Sequence, residues 1–112
     1  MTERQFQRAA VEYLTLALRP YGGIVVVIPG GDRQATRAPG YVSGEPDIAI
    51  IARGQIFGIE LKTKRGRVKA HQEARHKAWS YAGAEVFIAR SLDDLQGIVA
   101  ALVVGRVRGE AA

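Results

Sequence analysis

Apolar and polar residues follow one another along this chain in patterns that predict three helices and four strands. The first helix runs from residue 3 to about Leu18, because apolar residues recur there every three or four positions. Those residues are Phe6, Ala10, Tyr13, Leu14 and Ala17. Thr2 and Gln5 have the spacing of a capping box at its start, and Pro20 marks its end.

Short apolar segments predict the strands. Residues 24–28 and 48–52 are unbroken runs of isoleucine, valine and alanine, which is typical of buried strands. Arg53-Gly54 predicts a turn, so residues 55–63 form the return strand of a hairpin with residues 48–52. Residues 85–89 give the fourth strand.

A second helix is predicted at about residues 69–81, where Gly83 ends it. Its small residues and a tyrosine share one face, which we expect to pack closely against the sheet: Ala70, Ala74, Ala78, Tyr81 and Ala82. Gln72, His76 and Trp79 lie on the adjacent stripe. We interpret His76 as a surface or partner-pairing residue, and Trp79 as a core or interface residue.

The predicted order of elements is α-β-β-β-α-β-α. Ser91 caps the last helix, which has acidic residues in its first turn and an apolar stripe beyond it. Residues 29–43 are rich in glycine, proline and polar residues, which predicts a flexible loop, and residues 105–112 are predicted to be a frayed tail. We expect residues 1–112 to form a single domain, since no repeat or change in composition divides them.

Composition narrows the possible functions. The chain has no cysteine and only 2 histidines, which excludes disulfides and thiolate metal sites and leaves too few ligands for a typical zinc site. No apolar run reaches the roughly 20 residues of a membrane span, and no secretory signal opens the chain, so we expect an intracellular, cytoplasmic protein. The net charge of +5 favours a polyanionic partner such as nucleic acid, although a basic surface can also serve solubility alone.

Two carboxylates and a lysine are predicted to meet at one end of the hairpin. Side chains alternate between the faces of a strand, so Glu60 and Lys62 point one way while the residues beside them point the other. Asp47 precedes the partner strand and lies close to Glu60 if the two strands pair. Neighbouring carboxylates repel each other unless a cation lies between them, and their oxygens suit Mg²⁺ or Mn²⁺.

These residues resemble the sequence pattern of a nuclease superfamily. Gly44-Glu45-Pro46-Asp47, then Glu60-Leu61-Lys62, then Gln72 is similar to the pattern of the VRR-NUC branch of the restriction-endonuclease-like superfamily. The resemblance covers roughly residues 3 to 95. It implies an α/β fold with an α-β-β-β-α-β core, in which a mixed central sheet is flanked by helices, followed here by a C-terminal helix.

The resemblance also implies a role for each site residue. Asp47 and Glu60 would bind the metal together with the main-chain carbonyl of Leu61, Lys62 would position or deprotonate the attacking water, and Gln72 would lie near that water, the phosphate or the lysine. In the resolvase-like members of the superfamily a glutamate on the first helix reaches the metal, and Glu3 has that setting. An acidic residue in a first turn also complements the helix dipole, so both interpretations of Glu3 stay open.

Basic residues beside the site predict contacts with a nucleic-acid backbone. Residues 62–69 are dense in lysine and arginine and leave directly from the strand that holds Glu60. The candidates for DNA contact are Lys64, Arg65, Arg67 and Lys69, in what we expect to be a flexible turn, with Arg33 and Arg37 from the loop. Charged runs are more often simply solvated, and either arginine of the loop could belong to a disordered connection.

Two classes of function follow from these residues. The first is an Mg²⁺- or Mn²⁺-dependent DNA endonuclease acting on branched DNA, most naturally four-way junctions, as a homodimer, because cutting two strands symmetrically needs two sites. A version of this hypothesis keeps the enzyme but directs it to flaps, nicks or plain duplex. The second class is a non-catalytic nucleic-acid-binding module, against which the presence of both carboxylates and the lysine argues.

Overall fold

The computed structural model describes residues 1–29, 39–40 and 42–111, with side chains described as far as residue 103. The helices are α1 (Glu3–Leu18), α2 (Ala70–Tyr81) and α3 (Leu92–Ala111). The strands are β1 (Ile24–Val27), β2 (Ile48–Ala52), β3 (Gln55–Leu61) and β4 (Val86–Ala89), and a short 3₁₀ turn, Arg19–Tyr21, follows α1. Within the described residues, no helix has both the length and the apolar character needed to cross a bilayer.

The side-chain caps that the sequence predicts at the starts of α1 and α3 are present. The hydroxyl of Thr2 accepts a hydrogen bond from the backbone N–H of Gln5, and the side chain of Gln5 accepts one from the backbone N–H of Thr2. The hydroxyl of Ser91 likewise accepts from the backbone N–H of Asp94 at the start of α3. The backbone of α3 continues to Ala111, over residues where the sequence predicts a tail.

The four strands form one mixed sheet in the order β1-β2-β3-β4. β1 pairs antiparallel with β2, β2 pairs antiparallel with β3, and β4 lies parallel to β3. The tight turn between β2 and β3 uses Arg53 at φ 46° and Gly54 at φ 85°, both in the left-handed region. The predicted α/β architecture, the hairpin and the order of elements are confirmed.

The hydrophobic core lies between one face of the sheet and the helices α1 and α3. Residues on this face alternate with residues on the other face along each strand, and the core residues of β2 and β3 are Ile48, Ile50, Ile59 and Leu61. The buried stripe of α1 is Phe6, Ala10, Leu14 and Leu18, and α3 adds Leu95 and Val99. The opposite face of β3 is thereby left for the polar residues Glu60 and Lys62.

Helix α2 corrects one prediction. The small residues expected to pack on the sheet, Ala70, Ala74 and Ala78, are exposed, and Tyr81 is 98% exposed. No residue of α2 is buried. The stripe with Gln72, His76 and Trp79 faces the sheet instead, because the sheet surface beneath α2 offers polar partners rather than an apolar one.

Pro46 and Gly58 form a close contact under the loop that leads into β2. Pro46 is fully buried. A Cβ atom placed on Gly58 would lie 2.8 Å from Cγ of Pro46 and 3.0 Å from Cγ2 of Val86. The proline ring therefore occupies the space that a side chain at position 58 would need, and this contact fixes the loop just before Asp47.

We expect Gly58→Val to destabilise the protein by about 1–3 kcal/mol, because the added carbons overpack a site closed by a rigid proline ring. Thermal or urea unfolding measures the change. Gly97→Ala is the control: a Cβ there meets no atom within 4 Å, and it lies within α3, where alanine favours helix. Equal stability of Gly58→Val and wild type would contradict the packing described here.

Candidate active site

A cavity of about 520 Å³ opens where α1, the sheet and α2 meet. Its walls carry most of the residues singled out in the sequence, together with residues of the loop before β2. The cavity is lined by Glu3, Arg4, Gln7, Pro29, Ser43, Gly44, Glu45, Asp47, Glu60, Leu61, Lys62, Lys69, His71 and Gln72. Residues as far apart in the sequence as Glu3 and Gln72 therefore line the same cavity.

Asp47 is fixed by the main chain of the neighbouring strand. Its Oδ2 accepts a hydrogen bond of 2.7 Å from the backbone N–H of Leu61, and its carbonyl accepts one of 2.9 Å from the N–H of Ile28. The buried ring of Pro46 restricts the backbone immediately before it. The carboxylate therefore sits at a set position beside β3, with its other oxygen turned away from this bond.

Glu60 is the most deeply buried acid of the site, with 2% of its surface exposed. Its carboxyl group lies within hydrogen-bonding reach of Asp47. Burial, followed by the charge of Asp47, raises the pKa of Glu60 from 4.5 to about 8, while the charge of Lys62 opposes this rise. The two acids expected to meet do meet, and at neutral pH they hold a proton or need a cation.

Lys62 is buried alongside Glu60 and is held by Gln72. Its Nζ donates a hydrogen bond of 2.9 Å to Oε1 of Gln72 and lies 3.8 Å from Oε2 of Glu60. The same oxygen of Gln72 accepts a second bond of 2.9 Å, from the backbone N–H of Lys69. Gln72 thus orients the ammonium group and closes the first turn of α2 at the same time.

His76 contacts the site, although its sequence pattern indicated only a surface or partner-pairing residue. Its Nε2 lies 3.1 Å from Oε1 of Glu60, and 11% of its side chain is exposed. Burial lowers the pKa of His76 below its ordinary value. The signal that could have found this residue is its spacing: His76 follows Gln72 by four positions and shares its helix face.

Glu45 joins the loop before β2 to helix α2. Its Oε1 accepts hydrogen bonds from Nε of Arg75 and, at 3.0 Å, from Nε1 of Trp79. Burial alone would raise the pKa of Glu45, but the bonds from Arg75 and Trp79 hold it below its ordinary value. Trp79 is therefore a partly buried hydrogen-bond donor to this loop, and α2 is tied to both the loop and the strand.

Gly44 allows the loop to approach α2 closely. It has φ 90°, and a Cβ atom there would lie 2.5 Å from the carbonyl oxygen of His71. A side chain is excluded both by this contact and by the backbone conformation.

The basic segment between β3 and α2 is held by Arg90. One guanidinium nitrogen of Arg90 donates to the carbonyl oxygens of Thr63 and Gly66, and Gly66 closes a turn on Thr63. The segment expected to be a flexible turn is therefore anchored to the end of β4.

The candidate DNA-contact residues of this segment lie in two places. The side chains of Lys64, Arg65 and Arg67 are exposed outside the cavity, whereas Lys69 lines it. Arg33 and Arg37 lie outside the described residues.

Glu3 lies at the opening of the cavity, on the first turn of α1. Its charge adds to the field that raises the pKa of Glu60, so it is close enough to act on the site electrostatically. Among the described side chains, no three histidines or acids converge to form a complete metal-binding group. The structure brings Asp47, Glu60, Leu61, Lys62 and Gln72 together, and Glu3 lines the same cavity.

Two solved structures resemble this one. A structure described as a VRR_NUC domain matches with a TM-score of 0.61 and 24% sequence identity, covering 82% of this chain and 91% of its own. Another, described as a VRR_NUC domain protein, matches with a TM-score of 0.67 and 21% identity, covering 88% of this chain and 85% of its own. No protein-family profile matches the chain, and no curated protein matches it. The chain has the VRR-NUC fold.

The VRR-NUC fold confirms the architecture that the sequence pattern implied. The mixed four-stranded sheet with its flanking helices spans most of both matched structures. At these identities the likeness establishes the fold, and the chemistry rests on the residues of this chain.

The oxygen ligands in this VRR-NUC fold fit a divalent cation. Asp47 and Glu60 are two acids held close together, and the burial of Glu60, followed by the charge of Asp47, raises the pKa of Glu60 to about 8. Mg²⁺ is commonly bound by one or two carboxylates and several waters. Two carboxylates and a main-chain oxygen at the wall of a cavity open to solvent match that preference.

Titration of Glu60 should make the metal-free protein less stable as pH rises from 4.5 to about 8. Between pH 4.5 and about 8 the folded protein keeps a proton on Glu60 that the unfolded chain releases, so each step upward in pH favours unfolding. Thermal unfolding in EDTA across this range measures the slope. Glu60→Gln should flatten it, whereas Glu12→Gln, an exposed acid outside the cavity, should leave it unchanged. An unchanged slope in Glu60→Gln would contradict this account.

Proposed function

We propose that this protein is an Mg²⁺- or Mn²⁺-dependent endonuclease that hydrolyses phosphodiester bonds in DNA. The observation that carries the proposal is the pairing of Asp47 with the buried Glu60, with Lys62 beside them, on the wall of an open cavity. Nucleases with this arrangement bring a metal, an activated water and one phosphate together at such a place. The VRR-NUC fold supports the same conclusion.

Asp47, Glu60 and the carbonyl of Leu61 would hold the cation. A divalent cation there supplies Lewis-acid activation of water and offsets negative charge on the phosphate. Oδ2 of Asp47 accepts a hydrogen bond from the backbone N–H of Leu61, so these two proposed ligand residues are already fixed relative to each other. Glu3, which lines the same cavity, would contribute directly or through water.

Lys62 would act on the water and the phosphate. Its Nζ is held between Gln72 and Glu60, at 2.9 Å from the amide oxygen and 3.8 Å from Oε2 of the acid. An ammonium group fixed in this way orients the attacking water and stabilises charge that develops on the phosphate in the transition state. Gln72 would hold the lysine in place.

DNA is the substrate that the charges favour. Lys64, Arg65 and Arg67 lie exposed on an anchored segment that leaves β3 directly after Lys62, and Lys69 lies in the cavity wall. Contacts of this kind bind the phosphate backbone without reading bases. Arg33 and Arg37 are proposed as further contacts. We therefore propose recognition of DNA shape, with four-way junctions as the preferred substrate and flaps, nicks or duplex as the alternative.

Labelled junction, flap and duplex DNA incubated with Mg²⁺, Mn²⁺ or EDTA tests the proposal. We expect cleavage with either metal, none in EDTA, and the highest rate on the junction. Asp47→Asn and Glu60→Gln, which keep size and shape, should each lower the rate at least ~100-fold, while Glu12→Gln should cut like wild type. Cleavage retained by both site variants would refute the assignment.

The alternative of a non-catalytic DNA-binding module gives a different result in the same assay. It predicts binding to DNA that needs no metal, with no cleavage of any substrate. Calorimetric titration with Mn²⁺ separates the two: heat of binding that disappears in Glu60→Gln supports the enzyme.

We also propose that the active form is a homodimer, because two symmetric cuts need two sites and each chain supplies one set of these residues. Light scattering over a concentration series should give twice the monomer mass. Dimers that pair a wild-type subunit with an Asp47→Asn subunit should nick one strand of a junction and leave the other intact. A monomer that makes both cuts would contradict the proposal.

A further inference from the structure

Helix α2 and strand β3 match in spacing along the site. Glu60 on β3 and Lys62, the residue that follows the strand, are two positions apart in extended chain, which separates them by about 6.6 Å. His76 and Gln72 are four positions apart on α2, which separates them by about 6 Å on one face. Because the two spacings match, Gln72 contacts Lys62 and His76 contacts Glu60.

The carboxylate of Glu60 is held at both oxygens by different groups. Oε1 lies 3.1 Å from Nε2 of His76, and Oε2 lies 3.8 Å from Nζ of Lys62. Side-chain exposure is 3% for Glu60 and 11% for His76 and for Lys62, so water competes little for these contacts. Of these two contacts, the one to His76 is the shorter, so it restrains rotation of the carboxyl group more than the contact with Lys62 does.

We propose that His76 is a positioning residue that orients Glu60 for binding the divalent cation, an inference that rests on the proposed function. When Glu60 is ionised, Nε2–H of His76 donates to Oε1, which leaves Oε2 turned toward Lys62 and free to bind the ion. Because Nε2 of His76 is engaged in this hydrogen bond, the imidazole acts on the ion only through Glu60. Partners that fix a metal-binding carboxylate in this way typically raise metal affinity about 10- to 100-fold.

The alternative is that His76 only helps to dock α2. Docking does not depend on His76 alone, because Arg75 and Trp79 on the same helix bond to Glu45, and Gln72 bonds to Lys62. A variant of His76 can therefore keep the fold while it changes the ion site, and this makes the two roles separable.

Two amide variants test the inference. In His76→Gln the side-chain N–H₂ reaches the place of Nε2, whereas in His76→Asn it stops about one bond short. Calorimetric titration with Mn²⁺ at pH 7.5 gives the affinity of each variant, of wild type and of Lys77→Ala, an exposed neighbour on α2. Thermal unfolding in EDTA measures whether the fold is kept.

We expect His76→Asn to bind Mn²⁺ about 10- to 100-fold more weakly than wild type, and His76→Gln to recover most of the loss. Lys77→Ala should match wild type, and the two amide variants should unfold at similar temperatures in EDTA. Wild-type affinity in His76→Asn, or equal loss in both amides, would overturn this inference while leaving the nuclease proposal standing. Absence of Mn²⁺ binding by wild type would overturn both.

Discussion

The rest of the site depends on one unfavourable contact, that between the carboxyl groups of Asp47 and Glu60. Two acids at hydrogen-bonding distance, one of them almost wholly buried, cannot both stay charged without a neighbouring cation. The fold holds them together nevertheless: Asp47 by a main-chain N–H of β3, and Glu60 by the alternation of β3 itself. Their mutual repulsion is relieved by a proton or by a cation between them.

The surrounding structure serves to maintain that contact. Pro46 packs over Gly58 and fixes the loop before Asp47, while the core beneath β2 and β3 keeps the two strands in register. Helix α2 then covers the site through the hydrogen bonds that Gln72, Arg75, His76 and Trp79 make with the strand and the loop. Its stability on the sheet and the chemistry of the site therefore share the same side chains.

Much of this could be read from the sequence, because strand alternation and turn signals are local. They gave the hairpin, placed Glu60 and Lys62 on one face, and put Asp47 beside them. The role of α2 could not be read in the same way. An alanine-rich stripe normally marks the buried face of a helix, and here it is exposed because the sheet beneath presents Glu60 and Lys62. Which face a helix buries depends on the surface it packs against, whereas the periodicity of its sequence describes the helix alone. His76 was missed for the same reason.

Gly44 has a consequence for how related chains should be compared. A Cβ atom added there would lie 2.5 Å from the carbonyl oxygen of His71 and 3.0 Å from the Cα atom of Gln72, so the two separated parts of the sequence pattern come close at their main chains. This requirement is steric and owes nothing to the ion. A homologue that lacked the proposed ion site could replace Glu60, yet it would still need a glycine at position 44. Loss of the site and loss of the close approach between loop and helix would thus change different positions in an alignment.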